Sequence, residues 1–281
     1  MPDFPIVDSH VHFWDAQKVP LSWPTGNATL DRTFLPSDYP ASPQQVDTIV
    51  FLEADVDPGA HVKEAEWVAA LSNEDARIKA ISAHAPLEKG LAVEADLKRL
   101  AELPTVRAIR RLIQSQDADK LCASDEFRDG VRLCARYDLP FEICILHHQF
   151  SAVLDMVAAL PEVHFVLDHI GKPGIKDGLR EPWWDQIGRL SEFAHVDVKI
   201  SGAATEADHA NWREEEVLPY VERALEVFGA DRAMFGSDWP VQSLASDFAR
   251  WVDLLDHAVA GWSPADKRRL YRDTATRVYR L

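Results

Sequence analysis

Short apolar runs rich in β-branched residues recur along the chain, and each is followed by a polar loop and a segment with helical periodicity. Continuous apolar runs of this length are typical of strands buried on both faces of a parallel sheet. The pattern therefore predicts eight strands. They are Ile6–Val7 leading to His10, Asp47–Leu52, Ile78–Ala83, Val106–Ile113, Phe141–Leu146, His164–Leu167, Val196–Ile200 and Ala233–Phe235.

Between these runs, apolar residues recur at the spacing of amphipathic helices. Two boundaries carry capping signals. Ser124 is a predicted N-cap, and Ser263-Pro264 combines a cap with a first-turn proline. The predicted helices are Ala60–Leu71, Leu91–Leu103, Ser124 to about Tyr137, Ser151–Leu160, Trp183–Phe193, Glu214–Phe228, Ser246–Ala260 and Pro264–Tyr279.

Eight alternating strand–helix units, spaced by roughly 30–35 residues, predict a (β/α)8 barrel, a fold of about 250 residues. The rival is a doubly wound sheet, which usually has fewer strands and a Gly-rich first turn. No GxGxxG follows the first run here. The chain also has no low-complexity run and no Pro/Gly/Ser linker. We therefore expect residues 1–281 to form one α/β barrel domain.

Two loops are unusually long, from Phe13 to about Gln45 and from Lys172 to about Trp183. Both follow strands on the side where barrel active sites lie, and long loops there are often lids or binding loops. The aromatic residues of the first loop are candidates for the roof of a pocket, or for anchors that hold a surface loop. They are Phe13, Trp14, Trp23 and Phe34.

Composition then narrows the class of partner. The 281 residues include 30 Lys and Arg against 46 Asp and Glu, a formal charge of −16. This excess argues against nucleic acid and anionic membranes as partners, since both attract basic patches. Much of it falls in predicted helices, at Glu64–Glu66 and Glu214–Glu216, which we expect on the solvated outer ring. The charge therefore says little about the predicted barrel mouth, which collects His, Arg110 and Lys172.

The cysteines and the termini suggest a compartment. Cys122, Cys134 and Cys144 lack CxxC spacing and favour free thiols in a reducing environment. The N-terminus lacks a signal-peptide pattern, and no apolar stretch approaches the ~20 residues of a membrane span. We expect a soluble cytoplasmic protein that acts on a small molecule, with a homodimer left open.

Polar residues end nearly every predicted strand, and the C-terminal strand ends of a barrel carry its chemistry. Strand one ends in Asp8-Ser9-His10-Val11-His12. Residues two apart project to the same side of a strand, as two imidazole ligands of one metal ion must. Strand eight is followed by Gly236-Ser237-Asp238-Trp239-Pro240. The other strand ends carry Glu53, His84, Arg110 with Arg111, His147 with His148, Asp168 with His169, and Lys199 with Ser201.

Each of these residues alone also has a structural explanation. A histidine at a strand end can be a satisfied structural group, and Asp168 can cap the turn that follows it. Alternation does not decide which of Arg110 and Arg111 faces the barrel mouth. Together, however, the strand-end residues would be a costly cluster of polar groups without a function.

These motifs resemble the amidohydrolase superfamily. The resemblance rests on His10-Val11-His12, on a histidine after strands five and six, and on the Gly236–Pro240 segment. Three segments resemble, more narrowly, the branch of sugar-lactone hydrolases that includes L-fucono-, L-rhamnono- and 2-pyrone-4,6-dicarboxylate lactonases. These segments are Val7–Trp14, Leu167–Pro173 and Thr274–Tyr279. The resemblance runs over the whole chain and is specific only when the motifs are taken together.

The resemblance implies that Asp238 activates a hydrolytic water and that His169 or Asp238 returns a proton to the leaving oxygen. The hydrolysed bond would be the ring ester of an aldonolactone. Arg110 would anchor a substrate carboxylate, carbonyl or hydroxyl, since its guanidinium offers a fork of donors. The other expected substrate contacts are His84, His148, Lys172, Trp14 and Trp239.

The resemblance also implies a metal site built on His10 and His12. Binuclear members bridge two ions with a carboxylated Lys or a Glu at the end of strand four. This chain has arginines there, so two ions are not expected. We expect one divalent ion, Zn²⁺ first of all, with Glu53, His147 and Asp238 as further ligands. Metal-independent catalysis is the alternative.

Three other functions remain open from the sequence. The first is a metal-dependent decarboxylase of an unsaturated or aromatic acid, and the second is an aldonolactone isomerase. The third is a catalytically silent barrel, which would be expected to have lost the strand-end polar residues that this chain keeps.

Overall fold

Each of the eight apolar runs forms a parallel strand, and the strands lie side by side in sequence order. A computed structural model describes residues 2–42 and 45–281; Met1, Pro43 and Gln44 lie outside it, the last two in the long loop after the first strand. The strands are β1 (Ile6–Val11), β2 (Val46–Leu52), β3 (Ile78–His84), β4 (Val106–Leu112), β5 (Phe141–Cys144), β6 (Phe165–Leu167), β7 (Val196–Ile200) and β8 (Ala233–Phe235).

The ring of strands closes between β8 and β1, just beyond their ends. Val11 and Trp239 form an isolated parallel bridge. The His12 N–H donates to the Trp239 carbonyl at 2.7 Å, and the Asp238 N–H donates to the His10 carbonyl at 2.8 Å. The predicted (β/α)8 barrel is thus confirmed, and the closing hydrogen bonds tie the two motif segments to each other.

The helices lie between the strands along the chain, close to the predicted spans. Ser124 and Ser263 are N-caps, accepting from the Phe127 N–H at 3.1 Å and the Asp266 N–H at 3.2 Å. The helices are α1 (His61–Leu71), α2 (Glu94–Ala101), α3 (Ala118–Ala123), α4 (Asp125–Arg136), α5 (Phe150–Ala159), α6 (Trp183–Ser191), α7 (Glu214–Phe228), α8 (Phe248–Ala258), α9 (Pro264–Arg268) and α10 (Thr274–Tyr279).

Two segments differ from the prediction. The six-residue α3 was not expected, because so short a helix shows little periodicity. It is fixed by Asp117, whose side chain caps the Lys120 N–H at 3.1 Å. The single helix predicted over Pro264–Tyr279 is divided into α9 and α10 by a π-helical turn at Arg269–Asp273.

The last helix closes the barrel interior at the end opposite the site. Ala275, Val278 and Tyr279 of α10 are buried against inward-facing strand residues such as Val7 and Met234. Those strand residues lie near the beginnings of their strands. The chain terminus therefore plugs the bottom of the barrel, and the strand ends at the top are left to form a cavity.

The long loop after β1 is folded around its own aromatic residues. Trp14 and Phe34 exchange backbone hydrogen bonds at 2.9 and 2.8 Å and pack edge to face. Phe34 also packs against Trp239, which follows Asp238 in the chain. The loop is thus anchored directly on the segment that carries the candidate base.

No helix in the described ranges is long and apolar enough to cross a membrane.

Two glycines inside helices, one in α4 and one in α6, give a matched test of how closely the helices pack on their neighbours. A Cβ added at Gly130 of α4 would lie 2.1 Å from the Leu87 carbonyl oxygen, whereas one at Gly188 of α6 would meet only the flexible end of Arg223. We expect Gly130→Ala to destabilise the fold by about 1–3 kcal/mol or more, because backbone atoms must move. Gly188→Ala should be neutral or stabilising by up to about 1 kcal/mol, because alanine favours helix. Thermal melts decide this, and a Gly130→Ala protein that melts at or above the wild-type temperature contradicts the packing.

Candidate active site

The end of β1 brings two buried histidines together. His10 and His12 project to the same side, and their Nε2 atoms are 3.2 Å apart. His12 Nδ1 lies 2.9 Å from the Leu52 carbonyl oxygen, which can only accept, so this nitrogen carries the proton. Nε2 of His12 faces the site.

His10 presents its Nε2 lone pair to the same point. Arg110 Nη1, which can only donate, lies 3.2 Å from this nitrogen. Burial, together with the nearby charges of Lys199 and Arg110, lowers the pKa of His10 well below its usual range. A neutral imidazole has one N–H, which is therefore on Nδ1, 3.4 Å from Asp168 Oδ1.

Asp238 completes this group from the loop after β8. It is held at φ 61°, and its Oδ1 lies 3.4 Å from His12 Nε2 and 3.7 Å from His10 Nε2. Asp8 fixes the loop, since its Oδ1 accepts from the Ser237 N–H at 2.8 Å and its Oδ2 from the Tyr39 hydroxyl at 2.6 Å. The first and last strands thus position the carboxylate jointly.

His169 reaches the same carboxylate from the end of β6. Its Nε2 is 4.0 Å from Asp238 Oδ1, and its Nδ1 is 3.0 Å from Ser201 Oγ. The ring lies so close to Gly202 that an added Cβ would sit 2.5 Å from Nδ1. Burial, with the charge of Lys172, lowers the pKa of His169 well below its usual range, which favours the neutral form.

Arg110, not Arg111, faces the barrel interior. Arg110 Nε donates to Glu53 at 2.7 Å and Nη1 to Asp168 at 3.2 Å, whereas Arg111 pairs with Glu88 on the outside. Burial acts to raise the pKa of Glu53, but the charges of Arg110 and His84 outweigh it and lower that pKa. The guanidinium is therefore a fixed cation held between two carboxylates.

A second buried cation supports the histidines from below. Lys199 is fully buried and contacts Glu142 in a short ion pair and Asp168 Oδ1, the oxygen beside His10 Nδ1, at 3.4 Å. Tyr279 donates to the other oxygen of Glu142 at 3.0 Å. Burial raises the pKa of Glu142 to about 7, although Lys199 opposes the shift. A chain of polar contacts thus runs from the α10 plug to the site.

A cavity of about 210 Å³ opens above these groups. Its rim includes Trp23, which is 42% exposed and donates its indole N–H to the Ala54 carbonyl at 2.7 Å. The cavity is lined by His12, Trp23, Ala54, Asp55, Arg110, Leu112, Gln114, Cys144, His169, Lys172, Thr205, Asp238 and Val241.

The structure brings together some of the sequence-predicted residues and leaves others apart. His10, His12, His169, Asp238 and Arg110 converge, and Lys172 lines the cavity 3.9 Å from Glu206. Glu53 reaches the group only through Arg110.

Four predicted substrate contacts and the predicted metal ligand His147 belong neither to the cavity lining nor to the group of His10, His12 and Asp238. Trp14 and Trp239 are buried in the aromatic core of the loop, at 3% and 8% exposure, so Trp23 takes the place expected for them. His84 packs against the ring of His61. His147 lies in a neighbouring cleft beside Glu206, and its ring packs edge to face on that of His148. The roles assigned to these residues stay predictions.

His10, His12 and Asp238 could hold a metal ion. The three facing atoms form a triangle with sides of 3.2, 3.4 and 3.7 Å. An ion over this triangle can lie about 2.0–2.2 Å from all three, which are the bond lengths of Zn²⁺ to imidazole and carboxylate. The residues therefore fit one ion.

A second ion does not fit as well. The other group with suitable atoms is His10, Asp168 and His169, which shares His10 with the first. Arg110 and Lys199 both contact Asp168, at 3.2 and 3.4 Å. Asp168 is thus already neutralised by two cations and is a weak ligand for a further ion, whereas in the first group only His10 has a cation from the described residues, Arg110, within hydrogen-bond reach.

The chain belongs to the amidohydrolase family, whose model matches residues 7–281. It is 29% identical over 290 residues to an L-fucono-1,5-lactonase from Burkholderia multivorans, covering 98% of this chain and 96% of the relative. An L-rhamnono-gamma-lactonase from Scheffersomyces stipitis is 23% identical over the full length of both chains. A crystal structure of an amidohydrolase from Burkholderia multivorans with bound zinc superimposes with a TM-score of 0.86 at 27% identity, over 99% of each chain.

Sequence reasoning missed several residues around the site, among them Glu142, Tyr39 and Glu206, as well as the lining residues Asp55, Gln114 and Thr205. Glu142 had a visible signal, because it is a lone carboxylate in the otherwise apolar Phe141–Cys144 run. Tyr39 and Glu206 lie in loops, and nothing in their local sequence shows that they meet Asp8 and Lys172.

The buried Lys199 gives a test of the ionic support. Lys199→Met should destabilise the protein by about 3–5 kcal/mol, because it leaves Glu142 and Asp168 without their shared cation. The double variant Lys199→Met/Glu142→Gln should be less destabilised than the single one, since one uncompensated charge is removed. Lys63→Met, on the exposed side of α1, is the control. Urea unfolding that finds Lys199→Met as stable as Lys63→Met would refute the network.

Proposed function

We propose that this protein hydrolyses the ring ester of a sugar lactone, with Asp238 as the general base. The observation that carries the proposal is the position of Asp238. Its carboxylate faces three histidines at the floor of a cavity that Arg110 also lines. The full-length similarity to relatives named L-fucono-1,5-lactonase and L-rhamnono-gamma-lactonase supports a lactone as the substrate class.

Asp238 would take a proton from the attacking water. Oδ1 is turned toward the imidazoles, so the other carboxylate oxygen can accept that proton as the water oxygen bonds to the lactone carbonyl carbon. When the bond from the carbonyl carbon to the ring oxygen breaks, the ring oxygen leaves as an alkoxide. Asp238 can return the proton to it, either directly or through the nearby His169, which passes on one proton as it accepts another. The products are the sugar acid and its free hydroxyl.

The developing oxyanion needs positive charge that is already in place. Arg110 supplies a fixed cation on the cavity wall, held by Glu53 and Asp168. We propose that His10, His12 and Asp238 hold one divalent ion, Zn²⁺ in the first place. When bound, such an ion would polarise the carbonyl as a Lewis acid. The zinc in the similar amidohydrolase structure supports this assignment.

The remaining wall suits a polyhydroxylated ring. The exposed indole of Trp23 offers an apolar face, while Asp55, Gln114 and Thr205 offer hydrogen-bonding groups at other points of the lining. Sugars present this combination of C–H faces and hydroxyl edges. We therefore assign ring stacking to Trp23 and hydroxyl recognition to the three polar residues.

The role of Asp238 can be tested with Asp238→Asn on a panel of sugar lactones. Loss of the base should reduce kcat by about 10²–10⁴-fold. Asp253→Asn is the matched control, because it makes the same change on the exposed face of α8, outside the cavity lining, and it should leave kcat unchanged. Acid release measures the rate, and product NMR separates hydrolysis from ring isomerisation. An Asp238→Asn enzyme with near wild-type kcat would show that Asp238 is not the general base.

The metal assignment predicts about one zinc per chain in purified protein, measured by elemental analysis. His12→Asn should lower zinc occupancy by at least tenfold, because one of three ligands is lost. His84→Asn, outside the cavity, should keep it. Protein that is metal-free and fully active, or that keeps its zinc in His12→Asn, rules out this site.

A further inference from the structure

We propose that the site selects lactones without a charged substituent, and that Glu206 determines this specificity by neutralising Lys172. The inference rests on the proposed function, because it concerns the same cavity. Lys172 is the one lysine in the cavity lining given by the described residues. Its Nζ lies 3.9 Å from Glu206 Oε1.

The pair is built into the loops and is not a chance surface contact. Lys172 follows the tight turn after β6, where its N–H donates to the His169 carbonyl at 2.9 Å and its carbonyl accepts from the His147 N–H at 3.2 Å. Glu206 ends a short 3-10 turn after β7. The two side chains are only 19% and 22% exposed, so solvent screens their interaction incompletely.

The other cation of the lining is also matched. Arg110 already contacts Glu53 and Asp168. Lys199 and Glu142 cancel each other below the site. Two cations therefore share the cavity region with five carboxylates, and even a bound divalent ion would not leave the wall positive. The carboxylates are Glu53, Asp55, Asp168, Glu206 and Asp238.

This balance penalises an anionic substrate. A carboxylate on the lactone would have to displace Glu206 from Lys172, and it would meet the like charges of Asp55 and Asp238 while losing water. Hydroxyl groups face no such penalty, because each can donate to a carboxylate and accept from Lys172 or Gln114. The apolar face of Trp23 needs no charge either. The same wall thus favours a neutral ring.

Glu206→Gln tests the inference because it removes the neutralising charge and keeps the shape. The two probes are an aldonolactone and the aldarolactone of the same sugar, which carries a carboxylate in place of the terminal CH2OH. The wild type should prefer the neutral probe in kcat/KM. In Glu206→Gln the ratio of the two kcat/KM values should fall at least tenfold, through a lower KM for the carboxylated probe.

Two further variants serve as controls. Glu215→Gln removes one carboxylate from the exposed face of α7 and should leave the ratio unchanged, which excludes an effect of net charge. Adding Lys172→Met to Glu206→Gln should abolish the gain, because no free cation is then present. The inference is overturned if the ratio of the two kcat/KM values does not change in Glu206→Gln, or if it changes equally in Glu215→Gln. The proposed function stands in either case.

A binding measurement keeps the two proposals separable. Calorimetry with the neutral and carboxylated lactams of the same sugar needs no turnover. If no lactone is hydrolysed, the proposed function fails. The charge selection is still supported if the neutral lactam binds more tightly to the wild type and Glu206→Gln narrows the difference. Tighter binding of the carboxylated lactam to the wild type overturns it.

Discussion

Two buried cations inside the barrel, Arg110 and Lys199, hold the rest of the site in place. Both contact Asp168, and each has a second carboxylate, Glu53 for Arg110 and Glu142 for Lys199. Removing this many charges from water is costly, and only close mutual contacts offset the cost. The network tolerates few alternative arrangements. It fixes His10 from two sides, and with it the point at which the histidine Nε2 atoms converge.

Strand geometry explains why this network can form at the centre of the molecule. Alternate residues of a strand face inward, so Arg110 and Glu142 are register partners on β4 and β5 while their neighbours pack outward. The α10 plug then seals the bottom, with Tyr279 donating to Glu142. The apolar plug keeps water from the ion pairs, and the ion pairs hold the strand ends that carry the catalytic candidates.

The fold could be predicted because its signals are local and repeated. Each apolar run predicts a strand and each segment of helical periodicity predicts a helix from its own residues alone. Much of the convergent site followed from one rule, that polar groups at the C-terminal strand ends of a barrel meet. The choice between Arg110 and Arg111 could not be made, because both lie in the same strand and only their distant partners distinguish them. Tyr39 and Glu206 were out of reach for a related reason, and Trp23 could be named only as one of four aromatic candidates for the roof of the pocket. Their positions depend on how long loops pack on one another, which no local pattern encodes.

The net charge of −16 illustrates the difference between composition and site. The sequence suggested a mouth less negative than the whole, since it collects Arg110 and Lys172. In the structure each of these cations has a carboxylate partner. The two charges of each pair largely cancel, so the cations add little positive potential to the barrel mouth. Long-range attraction of an anionic substrate would need an unmatched cation in a poorly solvated cavity. Because the cations are matched, the proposed choice of a neutral sugar lactone rests on short-range contacts: hydrogen bonds to hydroxyl groups, the face of an indole, and the position of Asp238.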